Sequence, residues 1–182
     1  ARHDEVAEAP LRCHLTAARD VAVLLLPDVA PAQGVVAAHG ASVIDVGTGS
    51  GLLAIAARKL GAGDTVAIDI DHDALQSASE NIDLNGEQAH IGLEAVDLAV
   101  APSQLDRVFD LVLANLTAAV IVRYAGALAE MTAAAGRLIV SGIQPHEFEE
   151  VASALGQHGL ALASRLDEAD WVGAEFARRG AL

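Results

Sequence analysis

The chain has 182 residues, one cysteine, and a formal charge of −14 with only 11 lysine and arginine residues. This composition predicts a cytoplasmic globular domain without a disulfide framework, and it disfavours tight binding to bare nucleic acid. The start of the chain is acidic and polar, unlike a signal peptide, and the longest strongly apolar run, residues 21–26, is too short to span a membrane.

Helical and strand patterns alternate along the chain. Apolar spacing predicts an N-terminal helix over 15–26, stopped by Pro27 and followed by a linker to residue 40. Strands are predicted over 43–46, 65–69, 89–96, 109–114, 137–140, 160–166 and 171–177. Helices are predicted over 52–60, 73–84, 117–131 and 145–155, with a short helix or turn over 102–107. The alternation predicts a single α/β domain over 1–182. Its core, 41–182, is expected to be a Rossmann-like, doubly wound, mostly parallel seven-stranded sheet with an antiparallel last strand.

A glycine-rich turn between the first strand and its helix is the strongest local motif. Residues 45–51 read Asp-Val-Gly-Thr-Gly-Ser-Gly, so backbone N–H groups and a helix N-terminus can approach a ligand closely. Leu52 occupies the third glycine position of the dinucleotide fingerprint, and Asp45 would repel a pyrophosphate. S-adenosylmethionine fits better, because its ammonium suits Asp45 and its carboxylate suits the Thr48 hydroxyl. The residues predicted to hold this cofactor are Asp45, Gly47, Thr48, Gly49 and Gly51.

Acids follow the next two strands. Asp69 is placed to accept both ribose hydroxyls of a nucleoside cofactor, and Ile70 to pack on the adenine face, although Asp69 could also be a plain strand-end acid. Asp97 is either an acceptor for the adenine amino group or a turn acid. The acids of 69–73 resemble a calcium loop, but Ala74 replaces the required glycine, so we predict no metal site.

Asn115 ends the fourth strand at the sheet edge where ligands of such folds bind. Its carbonyl could accept a hydrogen bond from an attacking amine, which makes it the predicted catalytic residue as well as a cofactor contact. The alternative role is a cap for the helix starting at Thr117, and both roles are compatible. The histidines lack zinc spacing and no G-x-S-x-G is present, so metal or acyl-enzyme chemistry has no support.

Several motifs together resemble those of the class I S-adenosylmethionine-dependent methyltransferases. Within them, the chain is most similar to the PrmA-type enzymes that methylate a ribosomal large-subunit protein. The similar segments are 43–51, 68–71, 81–86, 109–116, 136–143 and 171–172, within residues 12–179. The resemblance implies S-adenosylmethionine as cofactor and in-line methyl transfer driven mostly by positioning. It also implies a cofactor role for Thr16, although Ala17 replaces the second threonine of that family segment.

The sequence departs from the family in two respects. No segment corresponds to its separate N-terminal recognition domain, and Leu116 after Asn115 rules out the N-P-P-Y motif of adenine and glutamine-amide methyltransferases. We expect N-methylation of an amino group on a protein, such as a basic or ribosomal protein drawn by the acidic field, with no nucleic-acid or membrane partner. The alternatives are a small-molecule methyltransferase, a non-catalytic cofactor-binding subunit and a nicotinamide oxidoreductase.

Overall fold

The computed structural model describes residues 40–179. Strands and helices alternate along this part of the chain. The strands are β1 Val43–Val46, β2 Thr65–Asp69, β3 Ile91–Ala95, β4 Phe109–Asn115, β5 Thr132–Ile143, β6 Leu160–Glu168 and β7 Trp171–Arg178. The helices are α1 Leu52–Lys59, α2 His72–Leu84, α3 Ala101–Leu105, α4 Ala118–Arg123, α5 Ala125–Met131 and α6 Phe148–Gln157. Apart from Gly40, the predicted N-terminal helix and linker lie outside the described residues, so the predicted division of the chain stays a prediction.

The strands form one sheet in the order β3-β2-β1-β4-β5-β7-β6. Strands β1 to β5 pair in parallel, whereas β7 pairs antiparallel with both β5 and β6. The predicted mostly parallel, seven-stranded sheet with an antiparallel last strand is therefore confirmed. Parallel register places Val46 beside Ile68 and Ala114, so β1, β2 and β4 end at one edge of the sheet. Ligands of open α/β sheets bind at this carboxyl edge.

Helices cover both faces of the sheet. Successive side chains of a strand point to opposite faces, so neighbouring residues of one strand pack against different helices. Ile44 enters the apolar cluster that includes Ile121 of α4 and Leu128 of α5. Its neighbour Val43 enters a second cluster with Leu53 of α1. Both faces of β1 are buried, which accounts for its nearly continuous apolar sequence. Within residues 40–179, no helix is long and apolar enough to cross a membrane.

Several predicted boundaries are wrong in detail. Residues 117–131 form two short helices separated by Tyr124, and β5 begins at Thr132 instead of Arg137. The alanines that follow Thr132 favour helix locally, but Thr132 pairs with Phe109 of β4, so sheet pairing overrides their propensity. At α2 the N-cap is Asp71, not the predicted Asp73, because the Asp71 side chain accepts a hydrogen bond from the Asp73 backbone N–H.

Candidate functional site

The glycine turn connects β1 to α1 in a conformation that depends on glycine. Gly47, Gly49 and Gly51 have φ values of +66°, +55° and +80°. A Cβ at Gly47 would lie 2.5 Å from Cδ2 of Leu116, whereas a Cβ at Gly49 would meet no atom within 4 Å. The turn is therefore packed at Gly47 against Leu116, the residue that follows β4, and is open at Gly49. Gly51 is the N-cap of α1 and supplies no side-chain cap.

Asp45 lies beneath this turn and is 1% exposed. Its Oδ2 accepts hydrogen bonds from the Thr48 hydroxyl at 2.6 Å and from the Ala54 backbone N–H at 3.1 Å. Its Oδ1 is buried without a hydrogen-bond partner among the described residues. Burial raises the pKa of Asp45 to about 6; the bonds from Thr48 and Ala54 oppose this rise and the nearby charge of Asp69 adds to it. The site thus contains a carboxylate with one free oxygen.

Thr48 is 7% exposed, and Asp45 accepts its hydroxyl proton. Thr48 therefore orients Asp45 in this structure. Direct contact between Thr48 and a ligand carboxylate stays a prediction.

Asp69 joins the end of β2 to the glycine turn. Its Oδ2 accepts from the Gly49 backbone N–H at 3.0 Å, and its Oδ1 accepts from the Asp71 backbone N–H at 3.0 Å. The carboxylate is half-buried, and the next side chain, Ile70, is 67% exposed. A charged acceptor and an apolar surface therefore lie side by side at the carboxyl edge, next to the open part of the turn.

Asp97 lies two residues after β3. The side chain is exposed, and its Oδ1 accepts from the Ala99 backbone N–H at 2.8 Å. This bond shows that Asp97 organises the local turn. It occupies one carboxylate oxygen only, so a contact with an adenine amino group stays a prediction.

Asn115 is the last residue of β4 and is half-buried. It lies one position beyond the pair formed by Val46 and Ala114, which places it beside Gly47, the first residue of the glycine turn. The N-cap of α4 is Thr117, and that cap has no side-chain hydrogen bond. The capping role considered for Asn115 is therefore not present, and its amide has no structural task at the helix start.

The structure thus brings most of the predicted site residues to one edge of the sheet. Those gathered there are Asp45, Gly47, Thr48, Gly49, Gly51, Asp69, Ile70 and Asn115, with Asp97 at the end of β3. Thr16 lies outside the described residues. The acids of the calcium-like segment cap backbone N–H groups instead, and residues 40–179 contain no cluster of three or more metal-binding side chains.

Three further residues at this edge were not among the predicted site residues, although they lie in the segments 81–86 and 136–143 that resemble the family. Asn81 of α2 donates from Nδ2 to the Ser50 carbonyl at 2.8 Å and so supports the glycine turn. Ser141 pairs in register with Asn115, is 4% exposed, and has an Oγ without a hydrogen-bond partner in the described part of the chain. Gly142 follows it with a φ of +80°. The resemblance of these two segments to the family was the signal that could have found them, because the contacts of all three residues join distant parts of the chain.

This strand order and site define the chain as a Rossmann-like domain of the methyltransferase type. A ribosomal protein L11 methylase from Lactobacillus delbrueckii subsp. bulgaricus superposes with a TM-score of 0.71 and 33% identity, covering 76% of this chain and 70% of that one. The magnesium protoporphyrin IX methyltransferase of Synechocystis PCC 6803 shares the fold, with a TM-score of 0.63 and 22% identity over 78% and 71% of the two chains.

The family model for ribosomal protein L11 methyltransferase (PrmA) matches residues 32–179, and the chain belongs to this family. Ribosomal protein L11 methyltransferases of Geotalea uraniireducens and Geobacter sulfurreducens are 44% and 46% identical over 130 and 129 residues. Each match covers 71% of this chain, but only 40% and 41% of the relative. The chain therefore spans about two fifths of the length of these relatives.

Proposed function

We propose that the chain binds S-adenosylmethionine at this carboxyl edge and transfers its methyl group to an amino group of a protein. The observation that carries the proposal is the buried Asp45 carboxylate, whose Oδ1 has no partner among the described residues. A buried acceptor without a partner costs free energy that a donor would recover. The ammonium of S-adenosylmethionine is a charged donor of this kind, whereas a nicotinamide cofactor would bring a pyrophosphate that the carboxylate repels.

Other residues of the site match the remaining groups of this cofactor. Open space above Gly49 allows a ligand to reach the backbone, and Asp69 offers a charged acceptor for two ribose hydroxyls. Ile70 offers an exposed apolar surface for adenine, and Asp97 an acceptor for its amino group. Thr16 keeps the cofactor role that the family resemblance implies.

The chain's contribution to the reaction is positioning. When bound, S-adenosylmethionine supplies a methyl group on a positively charged sulfur. The Asn115 carbonyl can accept an N–H from the incoming amine and so direct the nitrogen lone pair toward the site beside Gly47. A neutral amine already carries its lone pair, so no strong general base is required. The charge of −14 favours the approach of a lysine or a terminal amine.

The acceptor is a protein in this proposal, because the similar enzymes are named for ribosomal protein L11. A basic or ribosomal protein in the cytoplasm suits the acidic chain better than bare RNA or DNA. A small-molecule acceptor and a cofactor-binding subunit without activity are the other outcomes that an experiment can distinguish.

Calorimetry with S-adenosylmethionine and with NAD tests the cofactor. The wild type should bind only the first, and Asp69→Ala should weaken that binding at least about tenfold, because charge-assisted hydrogen bonds contribute about 1.5–3 kcal/mol each. Asp83→Ala is the matched control, since Asp83 is an exposed acid on α2 whose loss changes the net charge equally. Equal affinities in all three proteins, or binding of NAD, would contradict the assignment.

A labelling experiment tests the acceptor. The protein is incubated with methyl-labelled S-adenosylmethionine and a lysate, and mass spectrometry locates the label. Methylated lysine or terminal amine in a polypeptide is the expected result. Label in the RNA fraction alone would refute a protein acceptor, label only in small molecules would favour that alternative, and cofactor binding without any transfer would identify a non-catalytic subunit.

A further inference from the structure

Gly142 lies against the amide of Asn115. It has a φ of +80°, and a Cβ built on it would lie 2.8 Å from Oδ1 of Asn115 and 2.8 Å from the carbonyl oxygen of Leu116. Cβ atoms of real side chains do not approach other heavy atoms this closely. Any residue other than glycine at position 142 would therefore place its Cβ too close to the Asn115 side chain in its present position.

We infer that Gly142 is a positioning residue that sets the side-chain orientation of Asn115 by contact. The inference rests on the proposed function, in which the Asn115 carbonyl binds the methyl acceptor. Among residues 40–179, no hydrogen bond holds the Asn115 side chain. Packing must then define its orientation, and Gly142 is the neighbour whose missing side chain leaves room for Oδ1.

The backbone around Gly142 is held in place on the side of β4. Asn115 pairs in register with Ser141, and the Leu116 backbone N–H donates to the Ser141 carbonyl at 3.1 Å. On the other side, the register between β5 and β7 shifts between Val140 and Ile143. Glycine inside a strand costs stability and marks bulges or close approaches. Here it permits both the left-handed backbone and the close contact with Asn115.

Two effects of glycine must be separated, namely its backbone freedom and its lack of a side chain. Gly159, between α6 and β6, is a matched control because its φ is +82° and a Cβ there would meet no atom within 4 Å. Gly142→Ala and Gly159→Ala therefore impose the same backbone strain. Only Gly142→Ala also introduces a Cβ that contacts the Asn115 side chain and the Leu116 carbonyl, so a double-mutant cycle with Asn115→Ala separates these two contacts.

Steady-state kinetics of these two variants provide the first test. Gly142→Ala should lower kcat by between about tenfold and a hundredfold, because displacing an acceptor-binding group by about 1 Å has effects of this size. The cofactor dissociation constant should stay within about twofold of the wild type, and Gly159→Ala should keep normal turnover. Equal kcat values in the two variants would overturn the inference.

A double-mutant cycle with Asn115→Ala tests whether the effect passes through the amide. Once Oδ1 is absent, adding Gly142→Ala should change kcat by less than about twofold. Independent, multiplicative effects would contradict the inference. If Gly142→Ala is too unstable for kinetics, the double variant should recover part of the lost unfolding free energy, because Asn115→Ala removes the contact with Oδ1 but leaves the contact with the Leu116 carbonyl. A double variant that is no more stable than Gly142→Ala would contradict the inference.

Nuclear magnetic resonance gives a measurement that does not require methylation. The side-chain amide signals of Asn115, identified by their loss in Asn115→Ala, should shift in Gly142→Ala and stay unchanged in Gly159→Ala. Unmoved signals would overturn the inference even in an active enzyme. Conversely, failure of the wild type to bind S-adenosylmethionine would refute the proposed function while leaving this comparison valid.

Discussion

In the ligand-free protein, ionisation of Asp45 should lower the free energy of unfolding as the pH rises. Replacement of Asp45 by asparagine is expected to remove this loss. The folded-state pKa of Asp45 is about 6, against an ordinary value of 3.8, chiefly because the side chain is buried. A proton on Asp45 therefore stabilises the fold below about pH 4, and this stabilisation is lost as the pH rises through about 6. The asparagine side chain of the variant carries no charge at any pH, so it avoids the loss.

The size of the effect follows from the pKa difference. A rise from 3.8 to about 6 corresponds to about 3 kcal/mol at about 1.4 kcal/mol per pH unit, of which about 2 kcal/mol falls between pH 4.5 and 7.5. The variant places an amide nitrogen where a carboxylate oxygen has no partner within residues 40–179, at a cost of about 1–3 kcal/mol. That cost does not depend on pH, so the informative quantity is the change with pH.

Urea denaturation at several pH values measures this change. Relative to the wild type, Asp45→Asn should gain about 2 kcal/mol of unfolding free energy between pH 4.5 and 7.5. Asp110→Asn is a control of opposite sign, because hydrogen bonds from the backbone N–H and the hydroxyl of Ser42 lower the pKa of Asp110. Its carboxylate stabilises the fold above its ordinary pKa, and this contribution is lost as the pH falls. A difference between Asp45→Asn and wild type that does not vary with pH would refute the reasoning.

The same carboxylate should ionise fully when a cationic ligand binds. At about pH 6, where Asp45 is half protonated, S-adenosylmethionine should release a fraction of a proton on binding to the wild type. Calorimetry in two buffers of different ionisation enthalpy detects this proton. Asp45→Asn should bind more weakly and release none, whereas equal proton release by both proteins would exclude Asp45 as its source. Two further substitutions separate function from folding. Asn115→Ala should lower kcat clearly while changing the melting temperature little, since Thr117 is the N-cap residue and no side-chain cap is lost; a variant that melts early but methylates normally would contradict this. Ser141→Ala should change the unfolding free energy by less than about 1 kcal/mol in chemical denaturation, because Oγ has no partner among residues 40–179 to lose. A loss above about 2 kcal/mol would show that the hydroxyl makes a bond that matters for stability.

The sequence alone determined those parts of the structure that depend on residues close together in the chain. The β-branched run at Val43, the glycine turn and the helix at Leu52 are local signals, and the structure has all three elements where they were predicted. The alternation of strands and helices was sufficient to predict the sheet, because parallel strands require helical crossovers. Strand-end positions then placed Asp69 and Asn115 at the carboxyl edge before any contact was known.

The tertiary structure decided everything that depends on contacts between distant segments. Thr132 begins β5 because it pairs with Phe109, although the alanines after it favour helix. The raised pKa of Asp45, and the lack of a partner for its Oδ1 among the described residues, arise from burial by elements that no local pattern specifies. The contact between Gly142 and Asn115 depends on the register of β4 and β5, in which Asn115 pairs with Ser141. Local propensity acts over a few residues, whereas register, burial and close backbone approach exist only once the sheet has formed.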